Sequence, residues 1–379
     1  MIDSSASKDS AEAVPFLDLA PQHQELAADL AGAFARALAL GTFVGGPEVT
    51  AFEEEFAAFV GTGWAVGVNS GTDALRFAYL AMDIRPGDEV VTVPNTFIAT
   101  TAALTQAGAS VRFADVNDDV LTMDPRALEA AITPRTVGVV PVHLFGQAAD
   151  MDPILSIARR RGLWVVEDAA QAHGARYKDR PAGTMGALAA FSFYPGKNLG
   201  ACGEAGAVVG SDRARCETVR RLREHGQSRK YVHEVEGYNG RLDAIQAAFL
   251  RVKLKRLEQW NEARRKAAGM YREALKDVSE VRLPTEAAYA RHVYHLFVIR
   301  AERRDEVQAR LGASGITTGL HYPVPLHLQN AYRHLDLGRG TFPVTEQAAD
   351  SMLSLPMFPG ITATQIYRVA SVISKFYNG

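Results

Sequence analysis

The chain has 379 residues, 47% hydrophobic and 22% charged, enough apolar material for a large core and a length that suits a large domain joined to a smaller one. Its formal net charge of −2 gives no electrostatic reason to expect nucleic acid or an anionic membrane as partner. No run of about 18 apolar residues exists to span a bilayer, and two cysteines, Cys202 and Cys216, make no disulfide framework, so the cytoplasm is the expected compartment.

The first twelve residues, MIDSSASKDSAE, lack a basic start and an apolar stretch and read as a disordered tail rather than a signal peptide. Gln22 to Leu40 is Ala/Leu-rich with helical spacing, which Gly41 should end. Pro47 opens a second helix with Phe52, Phe56 and Phe59 on one face, which reads as core packing. Ala65 to Val68 is a short strand, and Asn69-Ser70-Gly71-Thr72-Asp73 leads from it into the helical run ALRFAYLAM. A strand, a small-residue turn and a helix start make an anion site, because free backbone N–H groups and the helix dipole aim at one spot. Ser70 or Thr72 acting simply as the helix cap is the plainer alternative, and the two readings are compatible.

Strand and helix then alternate. Strands are expected at Glu89 to Val93, Ser110 to Phe113, Val137 to Val142 and Leu163 to Val166, with helices at Ile98 to Gln106, Pro125 to Ala131 and Ile154 to Arg161. This alternation predicts a mostly parallel sheet with helices on both faces. Phe97 falls at a strand-to-helix turn on the ligand edge of that sheet, either as core or as a ring that stacks on a flat cofactor.

The stretch from Leu163 to Gly200 carries the strongest chemical signal. Glu167 and Asp168 stand where a buried strand should end, and an unpaired buried charge is costly. In an open α/β sheet the strand ends face the ligand crevice, so a cationic ligand is the simplest reason for them. A second apolar run, Ala187 to Phe193, leads into Tyr194-Pro195-Gly196-Lys197-Asn198, which places Lys197 at the same edge. Taken singly, such an Asp is usually a cap and such a Lys usually solvated. Together, an acid for a pyridinium nitrogen and a lysine for a Schiff base are a protein's two main handles on pyridoxal phosphate.

Asp212 to His225 is charged and helical, and Gly226 to Gly240 is irregular. With Arg241 that irregular segment gathers Arg229, Lys230, Tyr231, His233 and Tyr238, either as a solvated loop or as a segment that crosses to a partner subunit and binds anions. Asp243 to Leu275 reads as one long or slightly kinked helix, with no breaker before Gly269, linking two domains. Beyond about Val278 a small α+β domain is expected, with a strand in His292 to Ile299 and helices at Arg303 to Leu311 and Pro343 to Met352. Its loop runs from His321 to His327, and a last helix starts at Thr362, which has capping-box spacing to Gln365. The expected division is a tail (1–12), a large domain (13–242), and a connecting helix with a small domain (243–379).

The motifs NSGTDAL (69–75), PNTFIAT (94–100), VVEDAAQAHGA (165–175), FSFYPGKNLG (191–200), GYNGRLDAIQA (237–247), HYPVPLHLQ (321–329) and LSLPMFP (353–359) resemble the DegT/DnrJ/EryC1/StrS family of sugar aminotransferases. They run in the family's order and cover nearly the whole chain after the tail. The resemblance implies a fold type I α/β architecture, a mostly parallel central sheet sandwiched by helices plus a smaller C-terminal α+β domain, with pyridoxal 5′-phosphate as cofactor and no metal. It implies that Lys197 carries the cofactor as a Schiff base and moves protons, while Asp168 pairs with the pyridine nitrogen and Gln171 reaches the ring hydroxyl. Ser70, Gly71, Thr72 and Ser192 would hold the phosphate, Phe97 would stack on the ring, and Asn239 would reach the phosphate of the neighbouring subunit in a homodimer.

Relatives that dehydrate a sugar carry histidine at the lysine position, so Lys197 favours transamination. The resemblance implies a ping-pong reaction from glutamate or glutamine to a nucleotide-linked keto sugar. RKYVHEVEGYNGRLDAIQAAFL together with HYPVPLHLQ is most similar to the branch acting on dTDP-linked 3-oxo-6-deoxyhexoses. UDP-linked 3-oxo sugars and keto-inositols are the alternatives. Tyr194, Lys230, Tyr231, His321 and Tyr322 are the candidate contacts to substrate, each with a purely structural alternative. A cofactor-binding regulatory protein that does not turn over is the competing class.

Overall fold

The structure, a computed structural model, describes residues 13–378, so the reading of residues 1–12 as a tail lies outside the described residues. At its centre is a seven-stranded sheet. In order across it lie Trp64–Val68, Gly206–Gly210, Leu188–Ser192, Trp164–Asp168, Thr136–Val139, Glu89–Thr92 and Ser110–Phe113. Gly206–Gly210 runs antiparallel to both of its neighbours and every other pairing is parallel, so six strands end on one edge. The strands are nearly continuous apolar runs because both faces are covered. One face packs on the helices Gly71–Leu80, Ala99–Gln106 and Arg213–Arg223. The other packs on Pro47–Val60 and Ala244–Leu254, and further along on Pro125–Ala131 and Met151–Arg161. Phe52 and Phe56 are fully buried there, with Phe56 edge-on to Phe191 at 5.2 Å, and Phe59 is partly buried beside them.

A second core forms around the antiparallel strands Val281–Arg282, Phe297–Ala301 and Met352–Leu355. Leu257–Leu275, Arg304–Ala313 and Ala363–Asn378 cover it, and Val14 joins it through a bridge to Ile316. The last helix is capped as its sequence implied: Thr362 N donates to Gln365 Oε1 at 2.9 Å and Gln365 N to Thr362 Oγ1 at 3.2 Å. Among the described residues, no helix is long and apolar enough to cross a membrane.

Several elements differ from expectation. The stretch 243–275 is two helices, Ala244–Leu254 and Leu257–Leu275, with Arg256 N turning back to Lys253 O at 2.9 Å between them. The first packs on the large sheet and the second carries Ala267, Ala268 and Tyr271 into the C-terminal core, a division one straight rod would not serve. Gly269 breaks nothing: the space around it is open, and a helical glycine costs only about 1 kcal/mol relative to alanine. The first helical stretch is likewise divided, at the buried Leu26, into Ala20–Glu25 and Ala27–Leu40. Strands Gly206–Gly210 and Met352–Leu355 were not expected, since an apolar run so short has no period of its own. In the 292–299 stretch the strand starts only at Phe297, because the carbonyls before it serve elsewhere. Val293 O accepts from Asn198 at 3.1 Å, and Tyr294 O and His295 O both accept from the buried Arg264 at 3.3 Å.

Candidate active site

The strand ends enclose a cleft of about 510 Å³, within the usual range for small-molecule sites. Glu167 and Asp168 are successive residues of one strand, so their side chains leave on opposite faces. Glu167 turns away from the cleft. It is fully buried and accepts from His143 Nε2 at 2.8 Å, Gly183 N at 2.8 Å, Met185 N at 2.7 Å and Gly186 N at 2.6 Å. Burial pushes its carboxyl up, but His143 and these N–H groups outweigh burial and leave it below its ordinary value. The cationic-ligand reading therefore applies to Asp168 alone, which lines the cleft.

Asp168 Oδ2 accepts from Thr100 Oγ1 at 2.7 Å and Oδ1 from Ala170 N at 3.2 Å. Burial raises its carboxyl, against the pull of Thr100, Ala170 and the Lys197 charge. A cation set against it would complete the compensation that a buried carboxylate needs. Lys197 stands in the loop after Leu188–Ser192, its N–H bonded to Tyr194 O at 2.8 Å. Burial pushes its ammonium down to about 8, with Asp168 opposing, so the neutral, nucleophilic amine is within reach near neutrality. The loop is anchored from behind: Asn198 Nδ2 donates to Asn261 Oδ1 at 2.8 Å, and Lys253 Nζ to Gly200 O at 2.8 Å.

On the opposite wall, Ser70 Oγ caps the helix Gly71–Leu80 by accepting from Asp73 N at 3.1 Å. Gly71 and Thr72 line the cleft at the helix end where backbone N–H groups have no partner within the helix. A Cβ on Gly71 would stand 2.5 Å from Ser192 Cβ, so only glycine lets the turn approach that strand end. Phe97 presents an exposed ring to the cleft, 5.8 Å from the Tyr322 ring. Gln171 accepts from Phe145 N at 2.7 Å and donates to Tyr322 OH at 3.2 Å. Tyr194 and His321 complete the wall, and burial with the Lys197 charge pushes the His321 imidazole down to about 4, which makes it a neutral hydrogen-bonding group.

Eleven of the residues singled out from sequence thus line one cleft: Ser70, Gly71, Thr72, Phe97, Asp168, Gln171, Ser192, Tyr194, Lys197, His321 and Tyr322. Lys230, Tyr231 and Asn239 do not line it. Lys230 and Tyr231 sit at the tip of a hairpin, Gln227–Arg229 paired with Val232–His233, and Tyr231 is 81% exposed. Asn239 is exposed and bridges Glu224. Sequence reasoning missed Thr96, Thr100 and Glu204 on the lining. The two threonines left a signal, four residues apart across the turn that holds Phe97; Glu204 left none.

The arrangement fits pyridoxal phosphate. A half-exposed flat ring, a buried acid, a lysine of lowered basicity and a helix N-terminus closed down by a glycine all open on one space.

Comparison with known proteins agrees. Residues 24–374 match the model of the DegT/DnrJ/EryC1/StrS aminotransferase family. The chain is 47% identical over 363 residues, 96% of each chain, to the dTDP-3-amino-3,4,6-trideoxy-alpha-D-glucose transaminase of Streptomyces venezuelae. It superposes with a TM-score of 0.95 and 46% identity on S. venezuelae DesV in complex with a ketimine intermediate, covering 97% of this chain and 100% of that one. It also superposes with a TM-score of 0.90 and 30% identity on NtdA from Bacillus subtilis with bound cofactor PMP, covering 97% and 86%.

Proposed function

Starting from a chain that belongs to the DegT/DnrJ/EryC1/StrS aminotransferase family, we propose that this protein transfers an amino group from glutamate or glutamine to a nucleotide-linked keto sugar, with pyridoxal 5′-phosphate held in the cleft. The sugar favoured is a dTDP-linked 3-oxo-6-deoxyhexose, supported by 47% identity to a transaminase named for a dTDP-3-amino sugar. The observation that carries the reading is the meeting of Asp168 and Lys197 in one cleft with the Gly71 helix N-terminus.

When bound, the cofactor supplies an electron sink that makes the hydrogen on the amino-bearing carbon acidic. Lys197 Nζ would be the base that accepts and hands back that proton, a role for which an amine of lowered basicity is suited. Asp168 would favour a protonated ring nitrogen by offering it a carboxylate. Ser70, Gly71, Thr72 and Ser192 would hold the phosphate, Gln171 would serve the ring hydroxyl, and Phe97 would cover a ring face. His321, Tyr322 and Tyr194 stand where the sugar would lie.

The 226–241 segment completes the partner subunit's site in a homodimer, with Asn239 on the phosphate and Lys230 and Tyr231 toward the nucleotide. What supports this is that Arg229 and Lys230 are exposed and in no ion pair among the described residues. Residues 13–242 serve as the cofactor-holding domain and 243–379 as the connecting and small domain, and a nucleotide-linked substrate supports a cytoplasmic location.

Gly71→Ala is expected to weaken pyridoxal phosphate binding at least about tenfold, because the new methyl meets Ser192. Titration of the apo protein with the cofactor measures this, and an unchanged dissociation constant would remove Gly71 from the phosphate site. The function itself is tested by mixing holoenzyme with glutamate or glutamine and following the visible absorption band and the 2-oxo acid released. The aminated enzyme is then offered dTDP-, UDP- and GDP-keto sugars and a keto-inositol, with the dTDP-3-oxo sugar expected to turn over fastest. No half-reaction with either donor would favour the regulatory class instead.

A further inference from the structure

Asp168 is held by more than its own strand. Thr100, fully buried, donates its hydroxyl proton to Asp168 Oδ2 at 2.7 Å, across 68 positions of sequence. A threonine in the first turn of a helix has a nearer choice, a backbone carbonyl of the preceding turn. Thr100 Oγ1 also lies 2.9 Å from Thr96 Oγ1, and Thr96 is 3% exposed. Thr100 has one hydroxyl proton and an ionised carboxylate can only accept, so that proton belongs to Asp168. In the contact between the two threonines, Thr96 must then be the donor. The result is a directed chain, Thr96 to Thr100 to Asp168, in which each bond polarises the next.

The segment is fixed independently of the carboxylate. Tyr79 OH donates to Thr100 O at 3.3 Å, and Tyr332 OH bonds Thr101 Oγ1 at 2.6 Å. Thr100 N returns to Phe97 O at 3.1 Å, so one turn carries both the exposed ring and the hydroxyl that aims the acid.

We propose that Thr96 and Thr100 form a hydroxyl relay that orients the Asp168 carboxylate toward the cofactor's ring nitrogen, making Thr100 a positioning residue for transamination; this rests on the cofactor reading of the cleft given above. The relay couples contact with the ring face, through Phe97, to contact with the ring nitrogen, through Asp168. Burial raises the Asp168 carboxyl, and the Thr100 hydrogen bond opposes that rise and favours the ionised form the ring nitrogen needs.

The test compares holoenzyme of Thr100→Val, Thr100→Ser and Thr96→Val with wild type. Thr100→Val is expected to lower kcat about tenfold while the keto-sugar KM stays within about twofold, and to raise the dissociation constant of pyridoxal phosphate by less, about threefold. Its visible absorption maximum should move, because the ring nitrogen's partner is no longer aimed. Thr100→Ser, which keeps the hydroxyl, should restore all three, and Thr96→Val should show the same changes at smaller size. Wild-type kcat, cofactor affinity and spectrum in Thr100→Val, with only its melting temperature lowered, would overturn the relay and leave a packing residue. Wild-type protein that takes up no pyridoxal phosphate would overturn the cofactor reading, and the relay with it.

Discussion

Lys197→Ala should abolish transamination, with kcat reduced at least about 10⁴-fold, and should erase the visible absorption band of the holoenzyme. The variant is expected to fold, because the loop is held by contacts that leave the Lys197 side chain out. Its backbone N–H bonds Tyr194 O at 2.8 Å, and the neighbouring Asn198 is tied to Asn261 at 2.8 Å. Pyridoxal phosphate should still enter, held only by the proposed phosphate cradle and Asp168 and so more weakly. Among the described residues no other lysine lines the cleft, so none of them stands ready to replace the lost amine. An absorption spectrum and a single-turnover assay with glutamate are sufficient, and an unchanged band would remove Lys197 from the centre of the chemistry.

Asp168→Asn should lower kcat about 10³-fold, the loss expected when one partner of a buried ion pair is removed. The substitution is close to isosteric. The Asn oxygen can still accept from Thr100 Oγ1, which now sits 2.7 Å from Asp168 Oδ2. What changes is the group offered to the ring: an amide N–H donates where a carboxylate accepted, so the ring nitrogen is held unprotonated and the electron sink is weakened. Cofactor binding should survive better than turnover, since the proposed phosphate cradle is untouched. The check is the ratio of the two losses, from cofactor titration and steady-state kinetics. An equal loss in both would make Asp168 an anchor rather than an electronic control.

Much of the site was legible in the chain because each of its parts is local. Ser70-Gly71-Thr72 announces a helix N-terminus by composition alone, and Ser70 does cap that helix. Phe97, Asp168, Ser192 and Lys197 each sit within a few residues of a strand's end, and six strands end on the same edge, so chain position was enough to bring them together. Glu167 shows the limit of that argument. Its position is as suggestive as that of its neighbour, and only the pleat and the N–H groups of Gly183, Met185 and Gly186 reveal that it serves the fold. The break at Lys255-Arg256 was invisible for a related reason. Helical periodicity continues through it, and what bends the chain is the need to serve two cores.

By itself, the sequence determined the alternating strands and helices, the polar and small residues at their ends, and through its motifs the family and its cofactor. Short-range rules suffice for those, since capping, glycine turns and apolar runs act over a few residues. Tertiary structure alone decided which carboxylate faces the cleft, that Thr96 and Thr100 stand behind it, and that burial beside Lys197 pushes the His321 imidazole down. It also decided that Lys230, Tyr231 and Asn239 lie outside the cleft of their own chain. Those outcomes depend on what lies across space from a side chain, and burial and hydrogen-bond partners are contributed by residues tens of positions away, which no local pattern records.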